Sequence, residues 1–312
     1  MKNKLLRRIL TFGIVGTMLF TTACSSKTAK TDSTEAAVVE EGTAESASIE
    51  TEETVEAKET ETTEEATEVP SEDIMSFEDV NTDKVSLIAL GNSDVPVGQY
   101  SQEVFENLGF WDAIQDKISF GTNVKEVLSQ IEEGAVECGV VYATDAATSE
   151  KVTVVCTAPE GSLETPVIYP IAMLKETKHE EASKVFLNYL LTEESLAEFE
   201  KIGFKVATDT SPEEMEYTGE PCTINVFAAA SLTESLTLIQ NAFMEKYPDI
   251  EVVSNFDSSG TLKTQIEEGA EADIFFSAAT KQMKALSEGG FAADETKIDL
   301  LENQVVLIVP KK

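Results

Sequence analysis

The sequence predicts an α/β fold with largely parallel sheets. Short apolar runs alternate with segments whose apolar residues recur at helical spacing, along most of residues 74–312. Several of these runs end in a turn of small residues that leads into a helix, which is typical of parallel strands joined by crossover helices. Ligands of such sheets bind beyond the carboxyl ends of the strands, so these turns are the candidate sites.

The N-terminal segment has the pattern of a bacterial secretory signal. Four basic residues precede an apolar stretch at residues 9–20, and small residues then lead to Cys24. We therefore predict that residues 1–24 are a lipoprotein signal peptide and that Cys24 carries the lipid, which would anchor an extracytoplasmic protein to the bacterial cell membrane. Thr21 stands where such signals usually have leucine, and an ordinary cleaved signal is the alternative.

Residues 25–73 are rich in Thr and Glu and contain no aromatic residue. Such a composition buries too little apolar surface to fold, so we predict a disordered acidic tether. A solvent-exposed helix is the alternative, since Ala and Glu both permit one.

The net charge of −35 narrows the possible partners. The excess of acidic residues continues through residues 74–312, beyond the tether. This argues against nucleic acid or anionic lipid as a partner of the folded part. Any bound anion must therefore be held by local hydrogen-bond donors.

The remaining cysteines, Cys138, Cys156 and Cys222, show no Cys-x-x-Cys spacing, and the only histidine, His179, lies in a polar run. We therefore expect no metal site and no cofactor. A disulfide between Cys138 and Cys156 is possible, and buried free thiols in strands are the other interpretation.

The first half of residues 74–312 alternates strands and helices. Strands are predicted at residues 85–90, 138–142, 152–156 and 167–174. Helices are predicted near residues 100–108 and 124–131 and across 180–191 and 193–201, the last ending at Gly203. Asn123 and Glu126 have the spacing of a capping box. Residues 205–222 are polar, contain Pro and Gly, and are predicted to be a linker.

The second half begins with a stretch that suits an anion. Residues 224–230 form an apolar run that leads into Ser231 and Glu234, the spacing of a second capping box, and then into a helix. A similar strand at residues 252–256 leads into Ser259. Backbone N–H groups and the positive end of the dipole favour anions at such helix starts, although a serine there is more often only a cap. Further strands are predicted at residues 272–278 and 304–309.

Several motifs together resemble one family, the molybdate-binding proteins of ABC importers. The resemblance covers nearly all of residues 76–312 and is carried by the segments 226–233 (VFAAASLT), 256–262 (FDSSGTL), 265–274 (QIEEGAEADI), 91–98 (GNSDVPVG), 108–112 (LGFWD) and 139–146 (GVVYATDA). It implies a two-lobed periplasmic-binding-protein fold, type II-like.

The order of these motifs departs from the family. The usual second half, about residues 77–204, comes first here, and the usual first half, about 223–310, follows. This indicates a circular permutation in which residues 205–222 join the old ends. A truncated tandem repeat or a misassembled gene is the alternative. We expect one lobe at residues 74–172 and the other at 173–312, with 304–312 as a hinge strand, and we expect one covalent hinge to be lost.

The resemblance also implies the contacts of an oxyanion. Hydroxyl and N–H donors would come from one lobe, and N–H groups and a phenol from the other; the residues are Ser231, Ser259, Val97, Val124 and Tyr142. Core packing is the alternative for the two valines, and a structural role is the alternative for the tyrosine. Asp257, which would repel the ligand if it pointed inward, is expected to point outward.

The predicted function is capture of molybdate, and of tungstate, for delivery to an ABC permease. The alternatives are another tetrahedral oxyanion such as sulfate, or a non-transporting sensor or inactive permuted copy. We do not expect an enzyme, because the sequence has no Gly-x-Ser-x-Gly turn and its one histidine lies in a charged run.

Overall fold

The computed structural model describes residues 73–312. The predictions for the signal peptide, for Cys24 and for almost all of the tether therefore lie outside the described residues. Within residues 73–312, no helix combines the length and the apolar character needed to cross a membrane.

Residues 73–312 form eleven strands and eight α-helices, which confirms the α/β class. The strands are β1 (Ile88–Gly91), β2 (Ile118–Gly121), β3 (Cys138–Tyr142), β4 (Val152–Thr157), β5 (Val167–Met173), β6 (Lys205–Val206), β7 (Cys222–Ala229), β8 (Ile250–Asp257), β9 (Ile274–Phe276), β10 (Ile298–Asn303) and β11 (Val305–Pro310). The helices are α1 (Pro96–Asn107), α2 (Val124–Glu132), α3 (Ala143–Ala147), α4 (Glu180–Leu190), α5 (Glu193–Ile202), α6 (Thr233–Lys246), α7 (Ser259–Glu267) and α8 (Thr280–Glu288).

The strands form two sheets of mixed direction. The first has the order β2-β1-β3-β11-β4, and the second has the order β6-β10-β5-β9-β7-β8. In each sheet three neighbouring strands are parallel, namely β2-β1-β3 and β9-β7-β8. The prediction of largely parallel sheets is therefore only partly right, because β11 and β5 run antiparallel to their neighbours. Both of these strands directly follow a crossing between the sheets.

Burial explains why β11 lies inside the first sheet. Its residues Val305–Ile308 are at most 1% exposed, and it pairs with β3 on one side and β4 on the other. A continuous apolar run is what a strand covered on both faces requires. Each fully buried Val, Leu or Ile contributes about 1.5–3 kcal/mol to stability.

Each sheet organises one lobe. The first lobe contains residues 73–157 and 305–312, and the second contains residues 167–303. The predicted boundary between residues 172 and 173 is wrong, because β5 lies wholly in the second sheet. The predicted assignment of residues 304–312 to the second lobe is also wrong, because β11 belongs to the first sheet.

Two covalent crossings connect the lobes, at residues 158–166 and at Gln304. They lie side by side, since Ala158 donates its N–H to Val305 O at 2.8 Å and Asn303 pairs with Val167. The expectation that one hinge is lost is therefore wrong. The chain leaves the first lobe and returns to it, so both crossings remain.

The cysteines of the described chain are free. Cys138 and Cys156 lie on β3 and β4, which flank β11 on opposite sides. Strands two positions apart are separated by about 10 Å, which is beyond the reach of a disulfide. The possible Cys138–Cys156 bridge is thus not formed.

Candidate functional site

The five predicted contact residues lie around one small cavity between the lobes. The cavity is narrow, with a volume of about 10 Å³, and its lining includes Val97, Val124, Tyr142, Ser231 and Ser259. Tyr142 is the last residue of a strand, and the other four follow the carboxyl end of one, where parallel strands of an α/β sheet leave space for a ligand. The structure brings the five together, and their role as ligand contacts stays a prediction.

Ser231 enters the cavity from a short 3₁₀ turn between β7 and α6. The predicted capping box is wrong, because α6 begins at Thr233 and its N-cap, Leu232, makes no side-chain cap. The Ser231 hydroxyl instead lies 2.9 Å from the hydroxyl of Tyr169, a residue of β5. Ser231 therefore lines the cavity and does not cap the helix.

Ser259 is the first residue of α7, and the serine before it supplies the cap. The Ser258 hydroxyl accepts the N–H of Thr261 at 3.1 Å. The buried Ser259 hydroxyl accepts the N–H of Ala278 at 2.9 Å. Because that hydroxyl already accepts a hydrogen bond from the protein, its own proton is available for the cavity.

Val97 and Val124 bring backbone N–H groups from the first turns of α1 and α2. Helix N-termini leave these groups without intrahelical acceptors. The N-cap of α1, Val95, makes no side-chain cap, and the Asn123 side chain caps α2 by accepting the N–H of Glu126 at 3.0 Å. The predicted capping box is thus confirmed in its Asn123 half only, because the Glu126 carboxylate accepts the N–H of Thr122 and not that of Asn123. Both valine side chains are buried in the core, so packing and N–H donation do not compete.

Tyr142 is the last residue of β3, and its phenol faces the cavity without a partner. The residue is 1% exposed, and its hydroxyl makes no hydrogen bond within residues 73–312. An unpartnered buried hydroxyl costs about 1–3 kcal/mol, which a ligand oxygen would offset. Burial raises the pKa of Tyr142 well above its usual range, so the phenol keeps its proton and acts as a donor.

Asp257 does not point away from the site as predicted. It lines the cavity, and its Oδ1 accepts the N–H of Ser258 at 2.7 Å and the Nδ2 of Asn123, from the other lobe, at 3.5 Å. These two donors hold the carboxylate at the edge of α7. They also make Asp257 part of the contact between the lobes.

A partly buried ion cluster also connects the lobes. Lys125 Nζ of the first lobe lies 3.1 Å from Asp145 Oδ1 and 2.8 Å from both oxygens of Glu234, which belongs to the second lobe. Burial raises the pKa of Asp145 to about 6, although Lys125 opposes the shift. Burial would lower the pKa of Lys125, but the two carboxylates outweigh it and raise that pKa. The cluster was not predicted, because nothing local in the sequence links residues 109 positions apart.

The arrangement suits a small anion that carries several oxygens. Hydroxyl, phenol and N–H donors converge from the ends of five strands, and two of the N–H groups lie at helix starts with the positive end of the dipole. Contacts across the cleft, such as Lys125 with Glu234, hold the lobes in a closed arrangement around the cavity.

The chain resembles curated and solved solute-binding proteins over parts of its length. It is 44% identical over 118 residues to the "Putative ABC transporter substrate-binding lipoprotein YvgL" of Bacillus subtilis (strain 168), covering 38% of this chain and 45% of that protein. It is 48% identical over 89 residues to the molybdate-binding protein ModA of Haemophilus influenzae, covering 28% and 35%. A solved phosphate-binding protein of a phosphate ABC transporter from Streptococcus pneumoniae covers 73% of this chain and 89% of its own at 12% identity, with a TM-score of 0.46.

The matches to these curated relatives span less than half of the relatives' length. A family model covers more of the chain, since residues 51–205 and 224–312 match the model of the bacterial extracellular solute-binding proteins. More than half of the sequence lies within those two segments. The chain therefore belongs to the family of bacterial extracellular solute-binding proteins.

Proposed function

We propose that this protein captures molybdate, and also tungstate, between its two lobes and delivers the oxyanion to an ABC permease. The observation that carries the proposal is the buried Tyr142 phenol, which faces a cavity lined with donors and has no partner among residues 73–312. The names of the relatives from Haemophilus influenzae and Bacillus subtilis support the ligand and the transporter class.

The donor set favours a fully deprotonated tetrahedral anion. Ser231, Ser259 and Tyr142 each have a proton for the ligand, and the first turns of α1 and α2 add N–H groups. Molybdate carries no proton at neutral pH and needs donors only. Phosphate carries a proton and would need an acceptor aimed at the ligand, whereas the Asp257 carboxylate at the edge of the cavity accepts from Ser258 and Asn123. Sulfate shares the charge and shape of molybdate and is the nearest competitor.

Calorimetric titration of the purified protein with molybdate, tungstate, sulfate and phosphate tests the ligand. Molybdate and tungstate should bind tightly, sulfate should bind far more weakly, and phosphate should not compete. Sulfate binding as tight as molybdate would overturn the assignment. A Ser231→Ala, Ser259→Ala double variant should lose most of the molybdate affinity; it should still melt in one cooperative transition, at a somewhat lower temperature because Tyr169 and the N–H of Ala278 each lose a partner.

The proposal includes an anchor and a partner in the membrane. Cys24 follows a signal-like segment, and the Bacillus subtilis relative is named as a lipoprotein. We expect the protein in the membrane fraction of its host and a Cys24→Ala variant in the soluble fraction. Equal partition of the two proteins would contradict the anchor.

We also propose that the family's two halves are circularly permuted in this chain. The family match is interrupted between residues 205 and 224, at the segment expected to join the old ends. Lys312 Nζ lies 2.5 Å from Asp73 Oδ1, so a short link between these two residues could restore the family order. A relinked protein that starts near residue 223 and ends near residue 204 should have the same circular dichroism spectrum and the same melting temperature as this chain.

A further inference from the structure

A buried chain of hydrogen bonds leads from the crossing at Gln304 to the cavity. Asn303, the last residue of β10, lies 3.2 Å from the Tyr169 hydroxyl through its Nδ2. The Tyr169 hydroxyl lies 2.9 Å from Ser231 Oγ. All three residues are at most 4% exposed, so solvent does not compete for these bonds.

The donor-to-acceptor direction of these hydrogen bonds is fixed at Asn303. Its Oδ1 accepts the N–H of Gln304 at 2.8 Å, which identifies the oxygen and therefore the nitrogen of the amide. The two hydrogens of Nδ2 are then donated to Tyr169 and to Thr144 Oγ1, the latter at 2.8 Å. An amide nitrogen cannot accept, so the Tyr169 oxygen must accept from Asn303.

The same reasoning applies to Tyr169. Within residues 73–312 its hydroxyl makes two hydrogen bonds of good geometry, with Asn303 and Ser231; the Tyr142 phenol lies beside it, but its hydroxyl is not placed to form a hydrogen bond of acceptable geometry. The Asn303 nitrogen offers no acceptor, so the Tyr169 proton goes to Ser231 Oγ. If Ser231 donated instead, the Tyr169 proton would be buried without an acceptor, which is costly. The Ser231 proton is consequently left for the cavity.

We propose that Asn303, acting through Tyr169, is a positioning residue that turns the Ser231 hydroxyl proton toward the bound anion. The inference rests on the proposed oxyanion-binding function. Asn303 also holds Thr144 of the first lobe, so the hydroxyl is oriented when the lobes are closed. The closed form would then bind through a donor prepared in advance, without a reorientation cost.

A double-mutant cycle with Asn303→Asp and Ser231→Ala tests the direction. An ionised aspartate accepts only, so it would take the Tyr169 proton and draw the Ser231 proton away from the anion. Ser231→Ala should weaken molybdate binding about tenfold to a hundredfold, the usual worth of a hydrogen bond to a charged group. Asn303→Asp should weaken it in the wild-type background, partly through charge repulsion.

The cycle separates the effect of Ser231 orientation from the charge repulsion between the introduced aspartate and the anion. Repulsion should weaken binding equally whether residue 231 is serine or alanine, whereas orientation matters only for serine. The Asn303→Asp penalty should be about tenfold smaller when Ser231 is already alanine. An equal penalty in both backgrounds would overturn the inference, and so would a Ser231→Ala variant that binds like wild type. Asn303→Leu, of similar size and without charge, removes the orienting amide without adding repulsion, so its penalty should also be smaller when Ser231 is already alanine.

Tyr169→Phe provides a second cycle should Asn303→Asp fail to fold. This variant should weaken molybdate binding several-fold when Ser231 is present and have no effect in the Ser231→Ala background. A penalty that is the same in both backgrounds would refute the inference. A wild-type protein that binds no molybdate would overturn the proposed function, whereas uncoupled variants of a binding wild type would overturn the positioning role alone.

Discussion

Replacing Gly260 with alanine is expected to hold the two lobes apart. Gly260 is the second residue of α7 in the second lobe, and a Cβ at this position would clash with the main-chain carbonyl oxygen of Asp94 in the first lobe. The clashing atoms of Asp94 belong to the main chain, which cannot rotate aside as a side chain could. The N–H of Asp94 also donates to Asn92 Oδ1 at 2.9 Å, which holds this part of the main chain in place. The clash exists only when the lobes are closed.

The expected loss of molybdate affinity follows from the state of the protein in which the alanine Cβ clashes. Overpacking of this kind costs about 1–3 kcal/mol, and here it would fall on the closed state alone. Molybdate affinity should therefore drop about 5- to 150-fold. The open state should not suffer, because alanine is favoured over glycine in a helix by up to about 1 kcal/mol.

Calorimetric titration measures the molybdate affinity, and thermal melting of the ligand-free protein measures its stability. The expected pattern is weaker binding with an unchanged or higher melting temperature. Glu268→Ala, at an exposed position at the opposite end of the same helix, is the matched control and should bind like wild type. Unchanged affinity in the Gly260→Ala variant would refute the idea that binding requires this close approach.

Three further predictions concern the phenol, the buried carboxylate and the chain order. Tyr142→Phe should weaken molybdate binding about tenfold to a hundredfold in calorimetry without lowering the melting temperature, because the phenol has no partner in the described chain; a lower melting temperature would indicate a structural role. The raised pKa of Asp145 means that the folded state binds its proton more tightly than the unfolded state, so stability should fall as pH rises from about 4 to about 6, by a contribution on the order of 3 kcal/mol. Carboxylates with a lowered pKa, such as Asp79 and Glu126, change stability in the opposite sense, so urea unfolding is compared between wild type and Asp145→Asn: the stability of wild type relative to the variant should fall as pH rises, and a constant difference would contradict the assignment. A protein relinked in the family order should bind molybdate as tightly as this one, because both crossings between the lobes remain. Clearly different affinities would contradict the conclusion that the permutation leaves the hinge between the lobes intact.

Local patterns predicted most of the elements well. The strand at residues 138–142 matches β3, and the helix predicted to end at Gly203 does so, with Gly203 in the left-handed region at φ 108°. The strand is identified by a continuous apolar run, which indicates burial on both faces, and the helix end is identified by a glycine. Both signals lie within a few consecutive residues of the sequence. The small-residue turns also placed the candidate cavity at the strand ends.

The errors involve partners that are distant in sequence. Ser231 has the spacing of a capping residue, but its hydroxyl bonds to Tyr169, 62 positions earlier in the chain. Asp257 was expected outside the site, but donors at Ser258 and Asn123 hold it at the edge of the cavity. The strand β10 was missed because its charged residues hide its pairing with β5. Such choices depend on tertiary contacts that no local pattern encodes.

The position of β11 has a consequence for how the chain folds. The second lobe is one continuous segment, residues 167–303, and can assemble as soon as that segment has emerged into the compartment in which the protein folds. The first lobe must wait, because β11 inserts between β3 and β4 and is synthesised more than 140 residues after them. Contacts this far apart in sequence form slowly. The sheet of the first lobe therefore keeps a gap during synthesis, with the unpaired edges of β3 and β4 exposed to aggregation until the last strand arrives.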